Sequence, residues 1–157
     1  MPWNTEAGYG AVSWTGKQIL NDQLIGQLGL SHEQILAGVR QAKWNVAERL
    51  KKFRGDQPPL DLAGKSVIIV DDGLASGFTM LVAVESVRGE QPISVIVGVP
   101  TGSRGAVELV AAKSDLVVCL NIREGPVFAV ADAYEHWYDL TDEEVVQFLK
   151  PGRAGRS

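Results

Sequence analysis

The chain has little of what usually announces a function. A single cysteine, Cys119, rules out an intrachain disulfide, and its setting in the apolar run LVVCL reads as a buried, reduced thiol. Without a disulfide framework, the expected location is cytoplasmic. The two histidines, His32 and His136, stand far apart with no cysteine beside them, so no Cys/His metal cluster is encoded. Formal net charge is −4, which leaves no excess of positive charge to hold nucleic acid. No apolar run approaches the roughly 18 residues of a membrane-spanning helix, so no membrane partner is expected. The opening MPWNTEAGYG lacks the basic start and apolar centre of a signal peptide, and no internal repeat is found.

What is there is an ordinary globular balance, 45% hydrophobic and 22% charged over 157 residues, enough for one domain with a core. We expect that domain over residues 1–150, with PGRAGRS (151–157) as a flexible tail. Residues 1–30 read as loop and hairpin, with AVSW and KQIL flanking Thr15-Gly16. A helix is predicted over 31–54. Ser31 and Gln34 have capping-box spacing, and Ile35, Val39, Ala42, Val46, Leu50 and Phe53 form one apolar stripe. Arg40, Lys43, Lys51 and Lys52 lie mostly off that stripe and read as a solvated face. RGDQPP ends the helix.

From there the rhythm becomes strand, loop, helix, repeated over 66–120 as βαβαβ. SVIIV (66–70) is apolar on both faces, as a strand buried between helices should be. Residues 78–88 read as an apolar helix, ISVIVGV (93–99) as a strand, and DLVVCL (115–120) as a third strand. Ser103 is placed to cap a helix running to about Ala112. Residues 121–150 read as a loop and a last helix, whose first turn carries Asp142, Glu143 and Glu144. This alternation implies an α/β fold with a parallel sheet and flanking helices.

The stretch VIIVDDGLASGFTM (67–80) carries the chemistry. In an open parallel sheet, ligands sit beyond the carboxyl ends of the strands, where Asp71 and Asp72 fall. Gly73 and Gly77 allow the backbone to turn and approach a ligand closely. Ser76 and Thr79 supply hydroxyls. The loop opens into a helix whose first N–H groups are unpaired and whose dipole presents about half a positive charge, a setting for an anion. Two carboxylates would repel a bare anion but accept hydrogen bonds from hydroxyls. A phosphate with a vicinal diol at its far end, as in ribose 5-phosphate, satisfies both halves. The plain alternative is an acid pair that caps a strand, followed by an ordinary βα turn.

VIIVDDGLASGFT resembles the phosphoribosyl-pyrophosphate (PRPP) motif of the type I phosphoribosyltransferases. EAGYGAV before it and YEHWYDLTDEEVVQFL after it look like a branch of predicted phosphoribosyltransferases. The resemblance implies a type I phosphoribosyltransferase-like (Rossmann-like) fold. It implies that Asp71 and Asp72 hold the ribose 2- and 3-hydroxyls and stabilise an oxocarbenium-like transition state as the catalytic pair. Gly73, Ala75, Ser76, Gly77, Phe78 and Thr79 complete the substrate site, the backbone of 75–78 and the Ser76 and Thr79 hydroxyls holding the 5-phosphate. Phe78 stands where the family usually has a small residue. Mg²⁺ is expected from the family, bound mainly through substrate oxygens and not by a protein metal site. Glu6, Tyr9 and Arg104 are weaker candidates. Tyr134, Trp137 and Phe128 could shape a base pocket or simply pack, and Arg123 and Glu124 lie near where a base would sit.

An earlier strand ending in a basic, glycine-containing loop that binds pyrophosphate is not found. The chain therefore reads as truncated at the N-terminus: a fragment, half of a split protein, or a domain that kept only the ribose-phosphate site. Two functions follow: a phosphoribosyltransferase, or a piece of one, acting on a nitrogen acceptor such as a nucleobase, or a non-catalytic regulatory or assembly module that binds PRPP or a nucleotide 5-phosphate. Without the pyrophosphate loop, the chain alone is expected to release no pyrophosphate from PRPP at a rate typical of the family. Strand 66–70 would be an unprotected edge, which implies a homo-oligomer or cover from the 11–20 hairpin.

Overall fold

Val95, Val97 and Val99 alternate inward along Ser94–Ser103 (β4), and all three are buried. This period of two makes β4 the middle of a three-stranded parallel sheet, between Ser66–Val70 (β3) and Leu116–Arg123 (β5). The computed structural model describes residues 8–125 and 129–149. Ahead of the sheet come a hairpin, Gly10–Val12 (β1) with Gln18–Leu20 (β2), and two helices, Asp22–Leu28 (α1) and His32–Arg54 (α2). Phe78–Arg88 (α3) and Arg104–Ala111 (α4) are the crossovers between the parallel strands. A 3-10 turn (Val130–Ala133) and Asp142–Leu149 (α5) follow. Among the described residues, no helix is long and apolar enough to cross a membrane.

The core lies between one face of the sheet and the two crossover helices. Leu74, Met80, Val84 and Val87 meet Val95, Val97 and Val99 there, with Ala106 and Val110 of α4 closing the layer. Register puts Val67 beside Val95 and aligns Ile69, Val97 and Val117 on the same face. Local signals set the helix starts. Ser31 and Gln34 form the expected capping box on α2, and Ser103 Oγ accepts the Ala106 N–H to cap α4.

Three expectations need correction. The SVIIV strand is not buried between helices: among the described residues only one face is covered. The other face shows Ile68, Val70, Leu116, Val118 and Leu120 to solvent, Leu120 at 83% of its surface. Residues 21–30 are not loop, because Asn21 accepts the Leu24 N–H and starts α1, which ends on Gly29 at φ +60°. The hairpin does not cover the β3 edge. It packs on α2 and α3 instead, through Thr15 Oγ1 to Ser86 Oγ (3.1 Å) and Lys17 Nζ to the Glu85 carbonyl (2.8 Å). β4 also runs on to Ser103 and β5 to Arg123, so both reach the rim where the loops gather.

Candidate functional site

β3 releases its last residue where the Asp71 N–H reaches the Gly98 carbonyl at 3.4 Å. Asp71 and Asp72 therefore stand just beyond the carboxyl end of the sheet. The loop that follows is pinned at one point. Leu74 is 2% exposed, its N–H donates to the Thr101 carbonyl (3.0 Å), and its own carbonyl accepts the Ser103 N–H (2.9 Å). Gly73 is required by space: a Cβ there would lie 2.7 Å from Val130 Cγ1 and 3.0 Å from Thr101 Cγ2. Gly77 is required by conformation, with φ +79°, and it starts α3 without a side-chain cap. The N–H groups of residues 75–79 accordingly find no acceptor among the described residues.

These features border a cleft of about 320 Å³. Asp71, Gly73, Ala75, Ser76, Gly77, Phe78 and Thr79 all line it, together with Leu74, Met80, Val130, Gly8 and Gly10. Asp72 is not part of the lining. Its N–H donates to Asp71 Oδ1 at 3.0 Å, and its carbonyl accepts the Tyr134 phenol at 2.7 Å. Burial by surrounding protein raises the Asp71 carboxyl above its ordinary range, although part of the side chain reaches solvent. The Asp72 N–H opposes that shift, and the Asp72 charge adds to it.

Arg104, Arg123 and Glu124 come together in a second cleft of about 490 Å³, lined also by Ser103, Gly105, Gly125 and Ala75. Ala75 is common to both clefts. Arg104 Nε donates to Glu124 Oε1 at 2.9 Å, and a second guanidinium N–H reaches the same oxygen. That hydrogen bond, and then the Glu124 charge, hold the guanidinium pKa above its ordinary value.

Tyr134 and Trp137 pack against each other, ring centroids 5.1 Å apart at 59°, beside the acid pair. Tyr9 does not join the cleft. Its phenol sits over Gly38 of α2, where even a methyl group would collide with it. Glu6 and Phe128 lie outside the described residues, as does the tail 151–157. Sequence reasoning missed Leu74, Val130 and the two glycines of β1 and its approach. The one available signal was Leu74, a lone large apolar residue inside a loop of small ones. Val130 joins the site from 57 residues away and left no local trace. Among the described residues, no group of three or more His, Cys, Asp or Glu side chains could hold a metal.

Two relatives in Mycobacterium tuberculosis resemble this chain: "Putative phosphoribosyl transferase MT0597" (strain CDC 1551 / Oshkosh) and "Putative phosphoribosyl transferase Rv0571c" (strain ATCC 25618 / H37Rv). Each is 32% identical over 149 residues, covering 95% of this chain. The chain spans about a third of their length, 33%. The crystal structure of TT1426 from Thermus thermophilus overlays it with a TM-score of 0.68 at 29% identity, over 93% of this chain and 68% of that one. Residues 19–135 match the family model described as the phosphoribosyl transferase domain, a span that includes the acid pair, the loop and Tyr134. On that match the chain belongs to the phosphoribosyl transferase domain family.

Proposed function

We propose that the loop cleft binds PRPP and that the chain transfers its ribose 5-phosphate group to a nitrogen acceptor, releasing pyrophosphate. One observation carries the reading: a carboxylate and a set of unpaired N–H groups at a helix start share one small cleft. Asp71 and the neighbouring Asp72 accept the ribose hydroxyls. The N–H groups of 75–79, with the Ser76 and Thr79 hydroxyls, take the phosphate under the α3 dipole. The C1–oxygen bond to pyrophosphate breaks as the acceptor nitrogen bonds to C1. Positive charge that gathers on the sugar in between is met by the carboxylates. The acceptor lies in the Arg104–Glu124 cleft, which meets the loop at Ala75. Among the described residues no cluster of side chains would hold a metal by itself, so the Mg²⁺ expected of the family would be held mainly by substrate oxygens and water. It would neutralise charge on the leaving pyrophosphate. The single cysteine suits the cytoplasm, where such a reaction would run.

A specific observation favours the second reading, a module that binds the ribose phosphate without turnover. No Lys or Arg lines the loop cleft among the described residues, so no cationic side chain there meets the pyrophosphate. An assay for pyrophosphate release from PRPP, run with a panel of nucleobases, separates the two. Calorimetry with PRPP and with ribose 5-phosphate tests what they share. Turnover supports the transferase, and binding without turnover supports the module. Failure to bind either ligand removes both.

A further inference from the structure

We propose that Tyr134 is a positioning residue for the loop cleft: its phenol fixes the peptide unit that joins the acid pair to the loop. The consequence for ligand binding rests on the ribose-phosphate reading; the geometry does not. Tyr134 lies 62 residues from Asp72 in sequence, and its Oη donates to the Asp72 carbonyl at 2.7 Å. That peptide is trans, so the Asp72 carbonyl and the Gly73 N–H point in opposite directions. Holding the carbonyl on the tyrosine therefore aims the Gly73 N–H away from it.

The clamp is needed because little else restrains this unit. The Asp72 N–H is used locally on Asp71 Oδ1, at 3.0 Å. The next tie to the sheet is the Leu74 N–H on the Thr101 carbonyl, also at 3.0 Å. Between the two stands Gly73, the residue type with the most backbone freedom. The segment that carries Tyr134 also blocks Gly73 sterically, since Val130 fills the space its Cβ would need. Trp137 backs the tyrosine ring, which keeps the phenol in place. Surrounding protein and then the Asp72 and Asp71 charges raise the phenol pKa, so it stays protonated and remains a donor.

Tyr134→Phe removes the O–H and keeps the ring on Trp137. In the ligand-free, isotope-labelled chain, the Asp72 and Leu74 amides should exchange several-fold faster relative to those of β4, with the melting temperature nearly unchanged. PRPP and ribose 5-phosphate should bind about two- to tenfold more weakly, the effect of one neutral hydrogen bond. A second measurement on the same variant reads the peptide itself: the Gly73 amide shift at neutral pH should move from its wild-type position, because the Asp72 carbonyl is no longer held. Unchanged exchange at Asp72 and Leu74, with an unmoved Gly73 shift, overturns the proposal and leaves Tyr134 as packing. A wild-type chain that binds neither ligand while these amides still respond upholds the clamp and refutes the ribose-phosphate reading.

Discussion

The two faces of the sheet come from the same three strands and much the same residues, yet they end in opposite environments. On one face Val95, Val97 and Val99 are 0%, 0% and 4% exposed beneath α3 and α4. On the other, Ile68, Ile96 and Leu116 form one row and Val70, Gly98 and Val118 the next, with Ile68 at 66% and Val70 at 73% exposed. Alternation cannot separate the two, because an aliphatic residue at every position is what a strand buried on both sides requires. The difference matters for function. Leu74 anchors the loop in the covered layer, and α3 begins directly from that loop. The site therefore rests on the finished side of the sheet.

The comparison breaks most sharply under a charge on each face. Val97→Asp would bury an unpaired carboxylate, at a cost of several kcal/mol, against a total stability of about 5–15 kcal/mol for a domain. We expect no cooperative melt by circular dichroism. In a single copy of the chain, Leu120→Asp places the same charge in water and should change the stability of that monomer by no more than about 0.5 kcal/mol. If both variants unfold, the open face is buried in solution. We expect a second copy there. The exposed rows hold no charged side chain to repel one, and β3 has no partner on its outer edge among the described residues. Light scattering should then report a mass above the 16.9 kDa monomer, and Leu120→Asp should lower it. A wild-type monomer would end that expectation.

The second effect in size belongs to the site. Asp71→Asn with Asp72→Asn should weaken PRPP binding by about 1.5–3 kcal/mol per lost charge-assisted hydrogen bond, up to about four decades together. The fold should remain intact, because neither side chain supports the buried layer. Calorimetry and a melting curve on the same sample check both statements. Undiminished affinity would move the ribose contacts away from the acid pair.

How much of this was legible depended on how local each signal is. The Ser31–Gln34 box, the Ser103 cap and the loop from Gly73 to Thr79 are each written within a few residues, and each lies where the sequence pattern puts it. Helix α1 escaped because it is seven residues long, buries no side chain, and announces itself only by Asn21 and Gly29. The Val130 contact and the Tyr134 bond to Asp72 join segments about sixty residues apart, and no periodicity encodes them. The open face escaped for a different reason: SVIIV has the same sequence whether one side is covered or two.

The smallest effect concerns acid, and it sets the two ends of the covered layer against each other. Asp115 opens β5, and its Oδ2 accepts the Val95 N–H at 2.6 Å and an Arg88 N–H at 3.0 Å. The Val95 bond first, and Arg88 second, hold its carboxyl below the ordinary range. A folded value below the unfolded one means that the Asp115 contribution is complete above the unfolded value, about 3.9, and is lost as pH falls through the folded one. Asp71, at the other end, has the opposite sign. Burial raises its carboxyl, so folding favours the protonated acid. Its contribution is complete below the unfolded value and is lost as pH rises through the folded one. Melting curves between neutral pH and about 3 should therefore diverge, since that window crosses ordinary carboxylate values. Asp115→Asn should be less stable than wild type at neutral pH, with the gap closing in acid. Asp71→Asn should be at least as stable at neutral pH, and its advantage should shrink in acid. Asp115 and Arg88 are each about two-fifths exposed, at 43% and 39%, so water screens the pair and the effect stays small. Asp71 also reaches solvent, so its effect is screened as well. An Asp71→Asn chain that melts below wild type at neutral pH would show that the ionised carboxylate supports the fold, against the direction that its partial desolvation sets.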